Sequence, residues 1–219
     1  EAADADDWLP LLTEEDIENQ FIVGGHGFGF LKVGGDPAGE GANYNVVVTR
    51  YRNYASIYFK EKKLNQWEFA KELIDFHKSL RDGEQMLPLG YWIDKVGVGE
   101  GYYQTLKVDL ENVFGVNVGE KADNDEEFIN KRAEVYWRLR QDIKSGRLQL
   151  EKNDDWFQLA QIRYKTKLEG RRGKIEIMSK ERMSKLGIAS PDVADALALT
   201  YVMLDPYDTI SEFKEEKVG

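Results

Sequence analysis

The first third of the chain places apolar and polar residues in patterns typical of an antiparallel sheet followed by a helix. β-branched and aromatic runs predict three strands, at Phe30–Gly35, Tyr44–Tyr51 and Tyr54–Phe59. The dipeptide Arg52-Asn53 separates the last two runs and indicates a hairpin, so we expect the three strands to be antiparallel. Apolar residues then recur every third or fourth position through Asn65–Arg81, which predicts an amphipathic helix.

The rest of the chain alternates between predicted strands and helices. Further strands are predicted at Leu89–Ile93 and Val113–Val118, and helices at Gly101–Leu106, Asn124–Ile143 and Asp154–Tyr164. Two runs, Lys165–Leu168 and Lys174–Met178, flank a Gly-Arg-Arg-Gly tip and predict a β-hairpin. We therefore expect an α/β protein with a central mixed sheet of five strands, helices on both faces and a basic β-hairpin.

A nearly apolar helix is predicted close to the end of the chain, with two acids at its start. Ser190 is the predicted N-cap and Pro191 the first helical residue. Small and apolar residues up to Leu199 leave little polar surface, so this helix should pack against the sheet. Asp192 and Asp195 share one face near the positive end of the helix dipole. Taken alone, this pattern fits a helix-start charge and an acid at a rim as well as a functional pair.

Two acids upstream favour a metal-dependent site. Asp36 and Asp94 each follow an apolar strand, and ligand sites in α/β sheets gather at strand ends. With Asp192 and Asp195 they can bring three or four short carboxylates to one point, which suits Mg²⁺ or Mn²⁺. Two such ions about 3.5–4 Å apart could activate a water and stabilise the leaving oxygen of a phosphodiester. Zinc is disfavoured because the chain has no cysteine and only two histidines.

Charge is unevenly distributed along the chain. The net charge of −10 argues against a protein that coats nucleic acid non-specifically. Between Arg163 and Lys185, however, nine Lys and Arg residues stand against three Glu, giving +6, while the remainder carries −16. Such a segment suits a local anionic ligand, and the alternative is a solvated charged hairpin. The residues predicted to contact the DNA backbone are Lys165, Lys167, Arg171, Arg172 and Lys174.

Four stretches together resemble a known family. They are Gly34–Ala38, Trp92–Gly99, Asn130–Leu139 and Ser190–Leu199. They look like the C-terminal nuclease domain of the large terminase subunit of tailed bacteriophages, which has an RNase H-like (RuvC-like) fold, and the resemblance covers roughly residues 28–204. It implies that Asp36, Asp94 and Asp195 are metal-binding catalytic carboxylates with Asp192 as a fourth, and that the chain cuts concatemeric viral DNA during packaging.

The resemblance also implies a domain layout and partners. Residues 1–27 are expected to be a linker or entry segment, 28–207 the nuclease domain and 208–219 an acidic tail. The ATPase domain of large terminases is absent, since the chain has no Gly-x-x-x-x-Gly-Lys-Ser/Thr motif. Double-stranded DNA, the small terminase subunit and the portal protein are the implied partners, in the cytoplasm of the infected bacterial host. No apolar run is long enough for a membrane span.

Other functions stay open on the sequence. A Holliday-junction resolvase or another RNase H-like nuclease would share the carboxylates but cut a structured junction. A non-catalytic docking module for the packaging motor would not need to concentrate acids at a cleft. A third hypothesis, an RNase H-like domain that binds a nucleotide through Gly97–Gly101, has little support because no matching Lys or Ser/Thr follows. One departure from the family concerns the loop after Asp36, where Asn43 and Glu40 stand near the place at which relatives often carry another acid.

Overall fold

The computed structural model describes residues 7–169 and 172–203. Its strands are β1 Leu9–Pro10, β2 Phe21–Ile22, β3 Lys32–Asp36, β4 Tyr44–Arg50, β5 Tyr54–Lys62, β6 Gly90–Asp94, β7 Val113–Val116, β8 Gln149–Glu151, β9 Arg163–Glu169 and β10 Arg172–Ile177. Its helices are α1 Glu14–Glu18, α2 Gln66–Asp82, α3 Gly99–Asp109, α4 Lys131–Lys144, α5 Lys180–Lys185 and α6 Asp192–Leu199, with a 3₁₀ helix at Asp154–Gln161. None of the helices in the described ranges is both long and apolar enough to span a bilayer.

A mixed sheet forms the centre of the molecule, in the strand order β2-β8-β5-β4-β3-β6-β7. Strands β3, β4 and β5 are antiparallel neighbours, whereas β6 runs parallel to β3 and β7 parallel to β6. The predicted α/β class and the five central strands are confirmed. The sheet has seven strands because β2 and β8 extend it beyond β5, and segments of two and three residues are too short to show a sequence period.

Helices cover both faces of this sheet. Val46, Val47 and Val48 of β4 are all fully buried, because alternate residues of one strand point to opposite covered faces. Val47 packs in a cluster with side chains of α2 and α3, whereas Val46 and Val48 pack in the cluster that contains α4 and α6. The predicted helix on each face is therefore present, and α6 is buried along its whole length.

Close contact between α6 and β3 explains why the stretch Gly34–Ala38 begins with a glycine. A Cβ atom added to Gly34 would lie 2.0 Å from the backbone oxygen of Ala196. No side chain fits in that space, so glycine is required for the helix to lie directly on the strand. This contact places the start of α6 beside the carboxyl end of β3.

The start of α6 differs by one residue from the prediction. The helix begins at Asp192 and its N-cap position is Pro191, with φ −87° and ψ 53°, so Ser190 is not the N-cap. The backbone oxygen of Pro191 accepts the amide of Asp195 at 2.8 Å, which is the first bond of the helix. The proline ring fixes φ but leaves ψ free, and here ψ is not helical.

The long helix predicted over Asn124–Ile143 is shorter in the structure. It begins at Lys131 because the side chain of Asn130 accepts the amide of Ala133 at 3.0 Å and caps the helix. The residues before it form turns, and buried Glu134 accepts two of their backbone amides. The first residues of the predicted helix, including Asp125 and Glu126, therefore belong to the loop before α4.

Two more elements differ from the sequence prediction. The segment Asp154–Tyr164 forms a 3₁₀ helix that ends at Gln161, because Tyr164 already belongs to β9. Helix α5 was not predicted, and it begins where the Ser179 hydroxyl accepts the amide of Arg182 at 3.2 Å. This short helix positions a residue of the candidate site.

The segment before residue 28 has local order of its own. Thr13 and Asp16 form a reciprocal capping box at the start of α1. Leu11, Leu12 and Ile17 are buried in the same cluster as α4 and α6, so this part of the predicted entry segment packs into the main core. The proposed boundaries at residues 27/28 and 207/208 remain predictions.

Candidate active site

Two predicted acids lie at the same edge of the sheet. Asp36 is the last residue of β3 and Asp94 the last residue of β6. Because these strands are parallel neighbours, with Gly35 opposite Ile93, their carboxyl ends meet. Asp36 is buried at 6% exposure, and Asp94 is half-buried. The strand-end argument from sequence therefore places both carboxylates correctly.

Helix α6 adds Asp195 to this edge, and Lys180 joins it to Asp36. Lys180 Nζ lies 2.9 Å from Asp195 Oδ2 and 3.2 Å from Asp36 Oδ2. One ammonium group thus bridges two buried carboxylates contributed by a strand and a helix. Sequence reasoning counted Lys180 only within the basic segment, and no spacing in the chain marked it as part of the site.

Asp195 has two further partners on α4. Arg132 Nη1 donates to Asp195 Oδ1 at 2.6 Å, and the Tyr136 hydroxyl donates to the same oxygen at 2.7 Å. Residues four apart on a helix share a face, which is why both reach one carboxylate. Both belong to the Asn130–Leu139 motif, for which the sequence suggested a family resemblance but no role.

The carboxylates differ in their electrostatics. Burial raises the pKa of Asp36 to about 7, with Lys180 opposing the rise and the neighbouring acids adding to it. Burial likewise raises the pKa of Asp94. Burial alone would raise the pKa of Asp195 too, but Arg132 and Lys180 outweigh it and hold that pKa below its usual value. Asp195 is therefore the firmly ionised member, whereas Asp36 is about half protonated at pH 7.

Lys180 responds to the same charges. Burial by itself lowers the pKa of an ammonium group, but Asp195 and Asp36 more than compensate and raise the pKa of Lys180 above its ordinary value. Lys180 is therefore a permanent cation at this edge. Its side chain is still 40% exposed, so it can turn towards solvent without unpacking the core.

Asp192 occupies a different position at the start of α6. It is buried at 4% exposure, and its Oδ2 accepts the backbone amide of Tyr44 at 3.0 Å. This bond joins α6 to the beginning of β4 and closes the loop that follows Asp36. Asn43 and Glu40 of that loop are exposed, and within the described residues neither forms a hydrogen bond or ion pair with Asp36, Asp94 or Asp195.

The basic hairpin leads directly into the site. In the β9–β10 pairing Lys167 lies opposite Lys174, and Lys165 opposite Glu176, so these residues share one face. Lys165 is partly neutralised, with its ammonium 3.9 Å from the Glu176 carboxylate and over the Trp8 ring. β10 ends three residues before Lys180. Two predicted contacts, Arg171 and the side chain of Arg172, lie outside the described residues.

This chain resembles known proteins in structure rather than in sequence. No family model matches the sequence, and no curated protein matches it. The nuclease domain of the large terminase subunit gp2 of bacterial virus Sf6 superposes with a TM-score of 0.69 at 20% identity, covering 88% of this chain and 98% of that domain. The large terminase nuclease of thermophilic phage G20c gives 0.56 at 12% identity, covering 88% and 98%. The chain has the fold of a large terminase nuclease domain.

A longer protein and several metal complexes are among the structures with this fold. The large terminase of thermophilic bacteriophage D6E matches with a TM-score of 0.52 at 11% identity, over 86% of this chain and 42% of that protein. Mutant Sf6 domains were solved with calcium or manganese, and the G20c nuclease with cobalt or magnesium. The predicted resemblance to the terminase nuclease fold is confirmed.

The aspartates at this edge of the sheet, two from strand ends and one from α6, suit a hard divalent cation. Their donors are all carboxylate oxygens, and the buried Asp195 Oδ2 pairs with Lys180 without accepting a well-aligned hydrogen bond. A cation, the ammonium of Lys180, already lies between Asp36 and Asp195. No ready-made cluster of three or more His, Cys, Asp or Glu exists in the described part of this terminase-like fold. Binding of a metal ion would therefore require Lys180 to move aside.

Proposed function

We propose that the chain is the metal-dependent endonuclease domain of a viral DNA-packaging terminase. In this role it cuts concatemeric genome DNA in the cytoplasm of the infected bacterial host. The observation that carries the proposal is the meeting of Asp36, Asp94 and Asp195 at one edge of a sheet with the terminase nuclease fold. Chains of this fold have been solved with Mg²⁺ or Mn²⁺, the ions that oxygen-only ligand sets favour.

The proposed chemistry is phosphodiester hydrolysis. Bound divalent ions, which we take to be two Mg²⁺ or Mn²⁺, would supply an activated water and stabilise the leaving oxygen. Asp36, Asp94 and Asp195 would hold them, with Asp192 as a further ligand. Asp195 is suited to bind first, because Arg132 and Lys180 keep it ionised. Asp36 must lose its proton and Lys180 must withdraw before both carboxylates are available.

The proposed partners are double-stranded DNA, an ATPase domain, the small terminase subunit and the portal protein. The match covers only 42% of the D6E large terminase, which supports a partner domain such as the proposed ATPase. The net charge of −10 makes the chain itself a weak DNA binder. We expect a non-specific dissociation constant no tighter than the usual ~10⁻⁴–10⁻⁶ M at physiological salt.

A plasmid-nicking assay tests this function. We expect the 219-residue chain at high concentration to nick and then degrade supercoiled plasmid with Mg²⁺ or Mn²⁺, and to leave it intact with EDTA. It should show little sequence preference and no ATP hydrolysis. Nanomolar binding and cleavage of a four-way junction would favour a resolvase instead. No cleavage in either metal would favour a docking module.

Asp192 variants separate a ligand from a structural acid. Asp192→Asn keeps an oxygen for the Tyr44 amide, so its melting temperature should change little, whereas Asp192→Ala leaves that partly buried amide unpaired at a cost of about 1–3 kcal/mol. If Asp192 binds metal, both variants should lose most nicking activity, because the amide of Asn is a poorer ligand than a carboxylate. If a stable Asp192→Asn protein kept full nicking activity, Asp192 would not be a metal ligand and would serve only to bind the Tyr44 amide.

The basic hairpin is proposed to contact the DNA backbone. The double variant Lys167→Gln/Lys174→Gln should weaken binding of any duplex sequence, and the slope of log K against log salt should fall by about 0.9 for each lost phosphate contact. Fluorescence anisotropy with an unrelated pair of duplexes measures both effects.

A matched pair of lysines provides the control for this experiment. Lys71 and Lys78 are exposed on α2, which covers the opposite face of the sheet from α6. Lys71→Gln/Lys78→Gln removes the same charge and should keep the original salt slope. If the two double variants had equal salt slopes, the hairpin lysines would influence DNA binding only through the total charge of the chain.

A further inference from the structure

The Asn130–Leu139 motif divides into two sets of side chains on α4. One set is a network centred on Glu134. Its carboxylate forms ion pairs with Lys131 at 2.9 Å and with Arg138 at 2.8 Å. That network fixes the preceding loop and the end of α6, where Arg138 donates to the Tyr201 carbonyl. The other set, Arg132 and Tyr136, points to the candidate site and contacts it through a single carboxylate.

Arg132 and Tyr136 both hydrogen-bond to the same oxygen of Asp195. Both donate to Oδ1, at 2.6 and 2.7 Å, and both side chains are buried. The second oxygen, Oδ2, faces the Lys180 ammonium at 2.9 Å, on the side where Asp36 also contacts Lys180. The carboxylate is therefore fixed at one end by α4 and open to a cation at the other.

The bonding of Arg132 is a poor arrangement for stability alone. Its Nε and Nη2 atoms are buried and have no hydrogen-bond partner among the described residues. Arg132 also borders a cavity of about 10 Å³ that Asp94, Tyr136 and Asp195 line. Unpaired buried donors cost about 1–3 kcal/mol each, and buried ion pairs are often no better than apolar replacements. Arg132 therefore has its best explanation in what it does to Asp195.

We propose that Arg132 and Tyr136 are positioning residues that hold Asp195 by Oδ1 and thereby present Oδ2, in a fixed direction, to the divalent ion. This inference rests on the proposed function of the site. An aspartate on a helix otherwise has several rotamers, and only some of them direct an oxygen towards Asp36 and Asp94. Groups that orient metal ligands typically change metal affinity or activity by 10–100-fold when they are removed.

Calorimetric titration of the 219-residue chain with MnCl₂ tests the inference without relying on cleavage. Arg132→Gln should weaken Mn²⁺ binding by about 10–100-fold, and Tyr136→Phe by about tenfold. At pH 8, where protons compete little with the metal for Asp195, the direction of the affinity change separates positioning from charge for Arg132. Removing a positive charge beside a metal site would tighten cation binding if charge were its only contribution. Tyr136→Phe removes a hydrogen bond without changing charge, and it provides the answer if Arg132→Gln fails to fold.

Arg138→Gln is the matched control, since it also removes an arginine of α4 that pairs with a buried acid but does not touch Asp195. It should lower the melting temperature and leave Mn²⁺ affinity within about twofold of the unsubstituted chain. Unchanged or tighter Mn²⁺ binding in Tyr136→Phe, or equal weakening in Arg138→Gln, would overturn the inference. An unsubstituted chain that binds no Mn²⁺ would instead overturn the proposed function and the inference with it.

Discussion

Replacing Asp36 or Asp195 with Asn should abolish metal-dependent nicking in both cases but change metal-free stability in opposite directions. Asp36→Asn should raise the free energy of unfolding at pH 7.5 by up to about 4 kcal/mol, and with it the melting temperature, because it removes a carboxylate whose ionisation burial opposes. Asp195→Asn should lower stability by about 3–5 kcal/mol, because Arg132 loses its buried anionic partner. Thermal unfolding in EDTA and plasmid nicking in Mn²⁺ measure the two properties.

The pH dependence of the Asp36 effect follows from the direction of its pKa shift. The folded protein holds the Asp36 proton up to about pH 7, whereas the unfolded chain releases it near 3.8. Asp36 therefore lowers stability progressively as pH rises between these values, and the cost is complete above pH 7. The gain from Asp36→Asn should accordingly disappear towards pH 4. A destabilised Asp36→Asn protein at pH 7.5 would contradict this description of the site.

Lys180→Met should bind Mn²⁺ at least about tenfold more tightly than the unsubstituted chain. The substitution removes a positive charge that lies about 3 Å from two proposed ligand oxygens, and the methionine keeps most of the apolar stem. The metal-free variant should melt at a lower temperature, because Asp36 and Asp195 lose their shared cation. Titration calorimetry at pH 8, where protons compete little with the metal, gives the affinity.

Lys185→Met is the control for Lys180, because Lys185 is the exposed last residue of the same helix. It should change neither Mn²⁺ affinity nor melting temperature measurably. If Lys180→Met bound Mn²⁺ no more tightly than this control, then the ammonium group would not compete with the metal. Lys180 would in that case need another role, such as contact with the DNA phosphate.

The sequence predicts the acids of the site better than their surroundings. Asp36 and Asp94 were found because each ends an apolar run, and the end of a strand is a local signal. Asp195 followed from its place on a helix with small apolar residues all round, which must be buried. These are properties of short segments, and the structure reproduces them with errors of one or two residues.

The partners of those acids could not be found in the same way. Lys180 reaches Asp36 across 144 positions and Arg132 reaches Asp195 across 63, and side chains so far apart leave no periodic trace in one sequence. Arg132 and Tyr136 carry the i, i+4 spacing of a shared helix face, but that spacing also fits an ordinary exposed pair. The sequence therefore did not distinguish Asp36 from Asp195, whereas their partners make these two acids behave differently.

The most direct test of the account is to locate the metal. Crystals of the 219-residue chain soaked in MnCl₂ should show an anomalous scattering peak bounded by Asp36, Asp94 and Asp195, at about the 2.1 Å oxygen distance typical of Mg²⁺ sites. The Lys180 ammonium should have moved away from Asp36 and Asp195 in the same crystals. An absence of any peak at the strand ends, with Lys180 still bridging the two carboxylates at high Mn²⁺ concentration, would contradict the account.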